Sequence, residues 1–299
     1  MNEKKVLAVT ITYNPVISDL LRQIDALLLS QTDIFIVDNG SVNIQELEVS
    51  LASYSGGVTL MKLGQNLGIA AAQNHGIRRA TEEQYPYILL MDQDSLPADD
   101  MVSELLKGIA LLPDAAAVGP NFIDNNHASR ARFIKVQGFR IIRMTQETGD
   151  NIVEVDHLIA SGSLIPVRHF AVTGSMDESL FIDYVDIEWA LRARAKGLRS
   201  YGIFSAKMHH ALGNDHIDIL GRKVAVHSAQ RHYYMVRNAV LLYKKHYIPT
   251  SWKVVDACKL VAKMLVLLAG SQCKMENAGA IIRGLKHGIF NRSGKCVLK

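Results

Sequence analysis

The stretch ILLMDQDSLP, residues 88–97, points most directly to the fold of this 299-residue chain. Its apolar residues run without interruption into two aspartates, Asp92 and Asp94, which are separated by one glutamine. A continuous apolar run predicts a strand that is buried on both faces of a sheet. The two carboxylates then follow the end of this strand, where Ser95 and Pro97 favour a turn that would bring both side chains toward one ligand.

Strands and helices alternate through the first hundred residues. Strands are predicted at residues 6–13, 34–37, 58–63 and 88–91, and helices at residues 18–29, 44–54 and 69–81. This alternation predicts a doubly wound, mostly parallel α/β sheet, in which ligands collect beyond the carboxyl ends of the strands. Polar side chains follow the predicted ends, and they belong to Asn14, Asp38, Asn66 and the Asp92/Asp94 pair.

The second half of the chain has a looser pattern. Residues 121–155 form short polar segments with some β character, and longer helices are predicted at residues 181–196, 225–243 and 252–269. An apolar content of 48% is enough for a sizeable core. The predicted organisation is an α/β domain over residues 1–243, followed by a basic, amphipathic helical region over residues 244–299.

The net charge of +4 conceals an uneven distribution. Residues 1–243 contain 22 Lys/Arg and 27 Asp/Glu, a net charge of −5, whereas residues 244–299 contain 11 and 2, a net charge of +9. Such a concentrated positive charge favours an anionic partner, either a membrane surface or nucleic acid. Nucleic-acid binding is disfavoured because the end of the tail has almost no aromatic residues on which bases could stack.

Cysteine usage and the N-terminus indicate a cytosolic protein. The three cysteines, Cys258, Cys273 and Cys296, are odd in number and show no paired metal-ligand spacing, so reduced thiols are expected. The apolar segment near the N-terminus is too short for a secretory signal and is predicted to be a strand.

The helix predicted at residues 252–269 is apolar around most of its circumference. Asp256, Lys259 and Lys263 cluster in a narrow stripe, and the longest uncharged run, residues 264–273, is too short to cross a bilayer. An interfacial helix is favoured, with Trp252 and the surrounding lysines in the headgroup layer. The alternative is packing of this helix against the rest of the chain or against a second subunit in a homodimer.

The carboxylate pair after residue 91 has two interpretations. One or two aspartates, together with waters and substrate phosphates, suit a hard cation such as Mg²⁺ or Mn²⁺. Alternatively, Asp92 and Asp94 cap a helix that is expected to begin near Asp99.

Seven motifs together resemble those of a known family. They are TITYNP from residue 10, VDNGS from 37, NLGIAAAQN from 66, DQD from 92, ASGSLIP from 160, DESLFIDYVDIE from 177 and RHYYMVRN from 231. In content and order they resemble family 2 glycosyltransferases, which have the GT-A fold, and they are most similar to those of bacterial dTDP-rhamnose-dependent rhamnosyltransferases. The resemblance spans about residues 6–240. It implies nucleotide-sugar binding over about residues 1–120 and an acceptor and catalytic part over about residues 121–243.

The resemblance implies roles for the donor-binding residues. Asp38, with Thr12 and Tyr13, would bind the nucleobase, and Asp92 would lie near the ribose. The motif from residue 66 opens a helix of small residues whose backbone a ligand can approach closely, which adds Asn66, Gly68 and Asn74 to the predicted donor site.

The same resemblance implies the metal ligands. Asp94 would hold the divalent cation against the donor diphosphate. In MHHALG, from residue 208, His210 matches a position that can supply another ligand, and His209 is the neighbouring possibility.

The base is expected in the segment FIDYVDIE, residues 181–188. Asp186 occupies the position that resembles the catalytic carboxylate of the family. If this segment is helical, Asp183 and Asp186 are i and i+3 neighbours, and their repulsion raises the pKa of one of them. Glu188 is assigned instead to a solvated ion pair with Arg192. A single base without a carboxylate nucleophile implies direct displacement with inversion.

The motif from residue 231 places two arginines on one predicted helix. Arg231 and Arg237 could meet the donor diphosphate or a phosphate of the acceptor. For Tyr233 and Tyr234, packing in the core is favoured. In an earlier motif, Ser161 and its neighbour Gly162 either shape the acceptor site or form a tight turn.

The function implied is transfer of L-rhamnose from dTDP-rhamnose to a lipid-linked oligosaccharide of a bacterial surface polysaccharide such as O-antigen, capsule or cell wall. The enzyme would lie at the cytoplasmic face of the cell membrane. Another donor, such as UDP-galactofuranose or a UDP-hexose, is the alternative within the family. From other classes, a phosphohydrolase with Asp92 as nucleophile and a non-catalytic, nucleotide-sugar-binding assembly subunit remain open.

Overall fold

The computed structural model describes residues 6–54, 56–124, 133–146, 150–210, 216–219, 222–225, 228–270 and 273–296. For residues 123–124, 210, 216–219 and 222–225 the description covers the backbone and not the side chains.

Strands and helices alternate along the chain. The strands are β1 (Val6–Thr12), β2 (Asp33–Asp38), β3 (Val58–Lys62), β4 (Tyr87–Asp92), β5 (Ser95–Pro97), β6 (Ala115–Asp124), β7 (Phe133–Gln137), β8 (Arg140–Met144), β9 (Ile152–Val155), β10 (Ser163–Pro166), β11 (Arg199–His210), β12 (His216–Ile219) and β13 (Arg222–Ala225). The helices are α1 (Ile17–Leu29), α2 (Ile44–Leu51), α3 (Ile69–Glu82), α4 (Met101–Ala110), α5 (Phe170–Thr173), α6 (Val185–Ala195), α7 (Ala229–Tyr243), α8 (Thr250–Gly270) and α9 (Lys274–Ile289).

The central sheet is mostly parallel. Within the described residues it has nine strands in the order β3-β2-β1-β4-β10-β6-β11-β5, and β9 pairs with β11. Strands β1, β2, β3, β4, β6 and β11 run in one direction, while β5, β9 and β10 run against them. The predicted α/β class with a doubly wound sheet is therefore confirmed.

Side chains of the first strand alternate between two cores, as the two-residue period of a strand requires. Leu7, Val9 and Ile11 join the core that contains residues of α3, α6 and α7. Val6 and Ala8 join the core that contains residues of α1, α2 and α4. Both faces of this strand are thus covered by helices, which explains its nearly continuous apolar sequence.

The predicted elements of the first half are confirmed, with the helix predicted at residues 44–54 ending early at Leu51. Two predictions in the second half are wrong. The helix predicted at residues 181–196 begins only at Val185, because Phe181, Asp183 and Tyr184 have positive φ. The helix predicted at residues 225–243 begins at Ala229.

The last helix, α9, was not predicted by the periodicity of the sequence. Two of its glycines, Gly284 and Gly288, lower helix propensity but allow a close approach to α7. A Cβ atom at Gly284 would lie 2.6 Å from the carbonyl oxygen of Tyr233, and one at Gly288 would lie 2.7 Å from the Cβ of Val240. The glycines that weaken the sequence signal are therefore required for the packing.

The basic helical region packs against the rest of the molecule with one face. Trp252 is only 4% exposed and belongs to the core that contains residues of α3, α6 and α7, so its predicted place in the headgroup layer is wrong. Met264 and Leu267 pack against Val236 of α7. Among the residues that the structure describes, no helix combines the length and the apolar character that crossing a membrane requires.

Candidate active site

The parallel strands bring three predicted site residues to one edge of the sheet. Thr12, the last residue of β1, is in register with Asp38 at the end of β2. On the other side of β1, Ile11 is in register with Asp92 at the end of β4. We call this edge, formed by Thr12, Asp38, Asp92 and Asp94, the strand-end site.

Asp38 organises the loop that follows its own strand. One carboxylate oxygen accepts hydrogen bonds from Thr12 Oγ1 at 3.1 Å and from the Ser41 hydroxyl. The other accepts from the backbone N–H groups of Gly40 at 3.1 Å and Ser41 at 3.0 Å. These contacts fill the acceptor positions of a carboxylate. The predicted contact between Asp38 and a nucleobase would require one of them to be exchanged.

Two glutamines that sequence reasoning missed fix the turn after β4. Gln23 Nε2 donates to the carbonyl oxygens of Asp92 at 2.7 Å and Ser95 at 2.5 Å. Gln93 Oε1 accepts from the backbone N–H of Tyr13 at 2.7 Å, and its Nε2 donates to the Tyr13 carbonyl at 3.2 Å. The sequence did contain a signal for Gln23, because this polar residue lies on the apolar face of the predicted first helix.

Ser161 supports the same turn from the neighbouring strand connection. Its hydroxyl accepts from the Asp92 N–H at 3.0 Å and donates to the Ser95 hydroxyl at 2.8 Å. Gly162 adopts φ +77°, and a Cβ there would lie 2.5 Å from the Pro120 ring. The tight-turn interpretation of Ser161 and Gly162 thus accounts for both residues.

The two aspartates of the turn differ in environment. Burial raises the pKa of Asp92, the charge of Asp94 adds to the rise and that of Arg231 opposes it, so that the pKa is about 6. The side chain of Asp94 is exposed. Helix α4 begins at Met101 with Asp100 at its N-cap, so the interpretation of the pair as helix caps is wrong.

The backbone of β11 approaches this turn. In the antiparallel pairing of β11 with β5, His210 is opposite Ser95, the residue after Asp94. The side chain of His210 lies outside the described part of the structure, so its predicted contact with a metal remains a prediction. The neighbouring His209 is opposite Leu96.

The loop before α3 contacts the protein rather than an open ligand site. Asn66 Oδ1 accepts from the Gly68 N–H at 3.0 Å and from Asn39 Nδ2 at 3.3 Å. Gly68 has φ +92°, and a Cβ there would lie 2.6 Å from the ring and the carbonyl oxygen of Phe181. The Phe181 carbonyl also accepts the first N–H of the helix, that of Ile69, at 2.7 Å. Phe181 therefore occupies the side of Gly68 that the missing Cβ leaves open, and the predicted contact of Gly68 with a donor stays a prediction.

Asn74 is likewise used within the protein. Its Nδ2 donates to the Met176 carbonyl at 3.0 Å and to Glu178 Oε1 at 2.8 Å, and its Oδ1 accepts from the Met176 N–H at 2.9 Å. The predicted donor contact of Asn74 is corrected to a structural one. It holds the segment that leads into the predicted base and gives Glu178 a partner.

The segment at residues 178–184, which we call the catalytic loop, is strained. Phe181, Asp183 and Tyr184 have φ values of +65°, +64° and +65°. Each non-glycine residue in this region costs about 1–2 kcal/mol of backbone energy. Such a conformation persists only when the surrounding structure holds it.

Two neighbouring residues of α7 supply much of that support. Arg237 donates to the carbonyl oxygens of Leu180 at 2.8 Å, Ser179 at 3.3 Å and Gly294 at 2.5 Å. Asn238 Nδ2 donates to the carbonyls of Leu180, Ile182 and Asp183, at 2.9, 2.8 and 2.8 Å. Arg237 is fully buried, so its predicted contact with a diphosphate is wrong.

The aromatic pair on α7 belongs to the same support. Tyr233 and Tyr234 are 1% exposed, and the Tyr234 ring stacks on that of Phe181 with centroids 5.0 Å apart. The guanidinium of Arg237 lies over the Tyr234 ring at 4.7 Å. Core packing, the favoured interpretation of the two tyrosines, is confirmed.

The C-terminal segment contacts the catalytic loop and the loop before α3. The Gly294 N–H donates to the Ser179 carbonyl at 2.6 Å. Lys295 Nζ donates to the Asn66 carbonyl at 2.8 Å, which links the tail to the loop before α3. The tail therefore contributes directly to the geometry of the site.

Asp186 lies in the first turn of α6, directly after the catalytic loop. Burial is the largest cause that raises its pKa, the charges of Asp92 and Asp183 add to the rise, and a hydrogen bond from the Ile187 N–H at 2.9 Å opposes it, so that the pKa is about 6. The strand-end site and the catalytic loop therefore meet at Asp186. The expected rise of one carboxyl pKa is present, although burial is the largest cause and no helical pairing with Asp183 is involved.

Arg231 lies at the mouth of this region. Its Nε donates to Asp183 Oδ1 at 3.2 Å, and its side chain is 46% exposed. Burial raises the pKa of Asp183, and the charge of Arg231 opposes this shift. Arg231 is therefore accessible to a substrate, in contrast to Arg237.

Glu188 is not part of a solvated surface, as the sequence suggested. Its side chain is 1% exposed and pairs with Arg192 at 2.9 Å, so the predicted partner is right and the predicted exposure is wrong. The hydroxyl of Tyr247 also donates to Glu188. Asp156, another buried carboxylate, pairs with Arg194 at 2.5 Å.

Comparison with known sequences gives a consistent family assignment. The family model "Glycosyl transferase family 2" matches residues 8–172. Over 295 residues the chain is 35% identical to the dTDP-rhamnosyl transferase RfbF of Shigella flexneri, and the match covers 97% of each chain.

Comparison with solved structures shows the fold. The crystal structure of GalNAc-T7 with UDP, GalNAc and Mn²⁺ matches 97% of this chain and 56% of that chain, with a TM-score of 0.63 and 14% identity. A mannosyltransferase of Pyrobaculum calidifontis in complex with GDP-Man and Mn²⁺ matches 97% of this chain and 89% of that chain, with a TM-score of 0.60 and 13% identity. The GT-A fold expected from the resemblance is confirmed.

Proposed function

The chain belongs to glycosyl transferase family 2, and we propose that it is a metal-dependent, inverting enzyme that transfers L-rhamnose from dTDP-rhamnose to a hydroxyl group of a lipid-linked oligosaccharide. The product would be a growing bacterial surface polysaccharide. Identity of 35% to a dTDP-rhamnosyl transferase along nearly the whole chain supports the choice of donor.

The observation that carries the proposal is the electrostatic coupling of Asp186 to the strand-end site. Asp92 is close enough for its charge to add to the effect of burial on the pKa of Asp186, which is raised to about 6. A sugar hydroxyl is a poor nucleophile, and a carboxylate with a pKa near this value is ionised at neutral pH and can accept the proton of the hydroxyl as the new bond forms. Asp186 would act as this base.

The residues at the turn after β4 fit a divalent cation. Asp94 offers an exposed carboxylate, and its charge already disfavours ionisation of the neighbouring Asp92, which a cation would reverse. Within the described residues no three His, Cys, Asp or Glu side chains form a ready-made cluster. Mg²⁺ or Mn²⁺ held by Asp94 would therefore complete its shell with diphosphate oxygens, water and, by the β11 register, His210. Bound there, the cation would stabilise the charge of the leaving diphosphate.

The donor would lie along the strand-end site. The Tyr13 backbone, fixed by Gln93, and the loop organised by Asp38 would contact the nucleobase, while Asp92 would lie beside the ribose. Asn66 would shape this region through its loop rather than by direct contact. Arg231 remains available for a phosphate.

The outward faces of the last two helices support a peripheral position at the inner face of the cell membrane. Val261 and Leu265 of α8 and Ile282 and Ile289 of α9 are more than half exposed. With the net charge of +9 in this region, these side chains suit a surface of anionic lipid. We expect sedimentation with anionic vesicles, and its loss in the Val261→Asp/Leu265→Asp variant. Equal sedimentation of both proteins would contradict the membrane contact.

The direct test is a panel of nucleotide sugars incubated with the purified chain, a lipid-linked acceptor extract and Mg²⁺ or Mn²⁺. We expect release of dTDP from dTDP-rhamnose only when acceptor and metal are both present, with labelled rhamnose recovered in the lipid fraction. Omission of the acceptor and addition of EDTA are the controls. Release from UDP-galactofuranose or a UDP-hexose instead would replace the proposed donor.

A further inference from the structure

One face of helix α8, which carries Asp256 and Lys263, is directed toward the catalytic loop. Trp252, Asp256 and Lys263 are separated by four and seven residues and therefore share one face of the helix. Trp252 is buried, and Asp256 accepts a hydrogen bond at 2.9 Å from the hydroxyl of Tyr184, the last residue of the catalytic loop. This face is thus directed toward the active site, while the exposed Val261 and Leu265 lie on the opposite face.

Lys263 is a half-buried cation on this inward face. Its Nζ lies 3.8 Å from the Met235 sulfur, and in the described part of the chain its ammonium has no carboxylate at ion-pairing distance. Burial lowers the pKa of Lys263, and the nearby charges of Arg231 and Lys259 lower it further, while Asp183 opposes them. An ammonium ion in such surroundings is costly unless an anion joins it.

Arg231 points to the same place from α7. Met235, which Lys263 contacts, is one helical turn beyond Arg231, so the two residues share a face of α7. Only Nε of Arg231 is engaged by Asp183, which leaves the terminal nitrogens of the guanidinium for a further partner. A guanidinium and an ammonium on facing helices make a common recognition pair for phosphate.

We propose that Lys263, on the C-terminal helix α8, and Arg231 together bind a phosphate group of a substrate at the mouth of the active site. The inference rests on the proposed function, because it names the part of the substrate that this site recognises. Two sources supply the same chemistry: the diphosphate of the nucleotide donor, and a diphosphate that links an acceptor to its lipid.

Binding measurements on the full chain test the proposal without requiring turnover. Calorimetric titrations in Mg²⁺ would use dTDP as the donor-side probe and geranyl diphosphate as the acceptor-side probe, with thymidine and geraniol as phosphate-free counterparts. We expect Lys263→Met to weaken one of the two phosphate probes by about 10- to 100-fold, the size of a charge-assisted hydrogen bond. Neither phosphate-free counterpart should change.

Matched variants identify the cause of any loss. Lys263→Arg should retain most of the affinity, and Lys274→Met, which removes an exposed charge from the same tail, should have no effect. Lys263→Gln provides a second test should the methionine variant be unstable. A loss confined to dTDP assigns the site to the donor, and a loss confined to geranyl diphosphate assigns it to the acceptor.

Unchanged affinity for both phosphate probes would overturn the proposal. So would an equal loss for thymidine or geraniol, since that would mean a general disturbance of the site. Because these titrations involve no sugar transfer, failure of the rhamnosyl assay would leave their result intact.

Discussion

At the edge of the sheet, Asp38 and Asp92 take their positions from strands in register with β1, whereas the catalytic loop keeps its shape against its own backbone preferences. Asp38 is held by residues of its own loop and of the neighbouring strand. The catalytic loop is held by Arg237 and Asn238, which lie more than fifty residues further along the chain.

Because of this difference, the two regions should respond differently to substitution. The strand-end site is a product of regular structure, so its exposed side chain, Asp94, can be exchanged with little effect on folding. The catalytic loop depends on distant hydrogen bonds, so changes far from the reacting groups should displace Asp186. Substitutions in the two regions should therefore fail in different ways, one in ligand binding and the other in stability and turnover together.

The largest effect is expected from Asp186→Asn. An amide cannot accept the proton of the acceptor hydroxyl, so kcat should fall by about 100- to 10,000-fold, while donor affinity stays close to that of the wild type. Initial rates of dTDP release and calorimetric titration with dTDP would measure the two quantities. Asp99→Asn, an exposed substitution in the connection after β5, is the matched control and should change neither.

A substitution in the strand-end site should instead lower donor affinity. Asp94→Asn is expected to weaken metal-dependent donor binding by about tenfold or more while leaving the fold intact. Titration with dTDP in the presence and absence of Mg²⁺ checks it. Full turnover in Asp186→Asn, or unchanged metal dependence in Asp94→Asn, would remove the division of roles between the two regions.

The support of the catalytic loop is tested by Arg237→Met. The change removes the hydrogen bonds from this guanidinium to the carbonyl oxygens of Ser179, Leu180 and Gly294, and a hydrogen bond from a charged group contributes about 1.5–3 kcal/mol. The free energy of unfolding in urea should fall by about 4 kcal/mol, with a parallel loss of kcat.

Arg22→Met is the comparison for this variant. Arg22 pairs with Asp19 on the exposed surface of α1, where an ion pair contributes about 0–1 kcal/mol. If Arg237→Met were as stable and active as Arg22→Met, the catalytic loop would not depend on α7.

A pair of glycines isolates the contact between the loop before α3 and the catalytic loop. Gly64 and Gly68 both have positive φ, but a Cβ at Gly64 meets no atom within 4 Å, whereas at Gly68 it would collide with Phe181. We expect Gly64→Ala to cost about 1 kcal/mol through backbone strain, and Gly68→Ala to cost about 3 kcal/mol. Urea unfolding and kcat/KM measure both, and equal costs would mean that Phe181 moves aside freely.

The strand-end site could be predicted from the sequence because it depends on local pattern. Apolar runs mark buried strands, and the polar residues that follow them, Asp38, Asp92 and Asp94, lie at one edge once the sheet is parallel. Ser95 and Pro97 also indicated the turn after β4. The contacts by which Gln23 and Gln93 hold this turn could not be predicted, because they join residues that are far apart in the sequence.

The catalytic loop could not be predicted in the same way. Residues 181–188 have spacing that suits a helix, and contacts with α7, with the tail and with the start of α3 hold the positive φ at Phe181 and Asp183. Arg237 looked like a phosphate ligand because charged residues are rarely fully buried, and only the structure reveals the carbonyl groups that it serves.

The smallest effect concerns the pH profile. Since Asp186 must be ionised to act as base and its pKa is about 6, kcat/KM should fall about tenfold per unit as the pH drops below this value. Asp92 has a similar pKa, which Asp94 raises and Arg231 lowers, whereas the charges that raise the pKa of Asp186 are those of Asp92 and Asp183. Removing the negative charge of Asp183 lowers the pKa of Asp186, so Asp183→Asn should shift the acidic limb to lower pH.

Asparagine suits this substitution because it tolerates the φ of +64° at position 183. Asp177→Asn, which removes a carboxylate paired with Lys245 just before the same loop, is the control and should leave the limb in place. Rates of dTDP release between about pH 4.5 and pH 8 would give both profiles. This range extends about 1.5 units below and about 2 units above the pKa of Asp186. An acidic limb that moves to higher pH, or stays fixed, in Asp183→Asn would mean that the titrating base is not next to the catalytic loop.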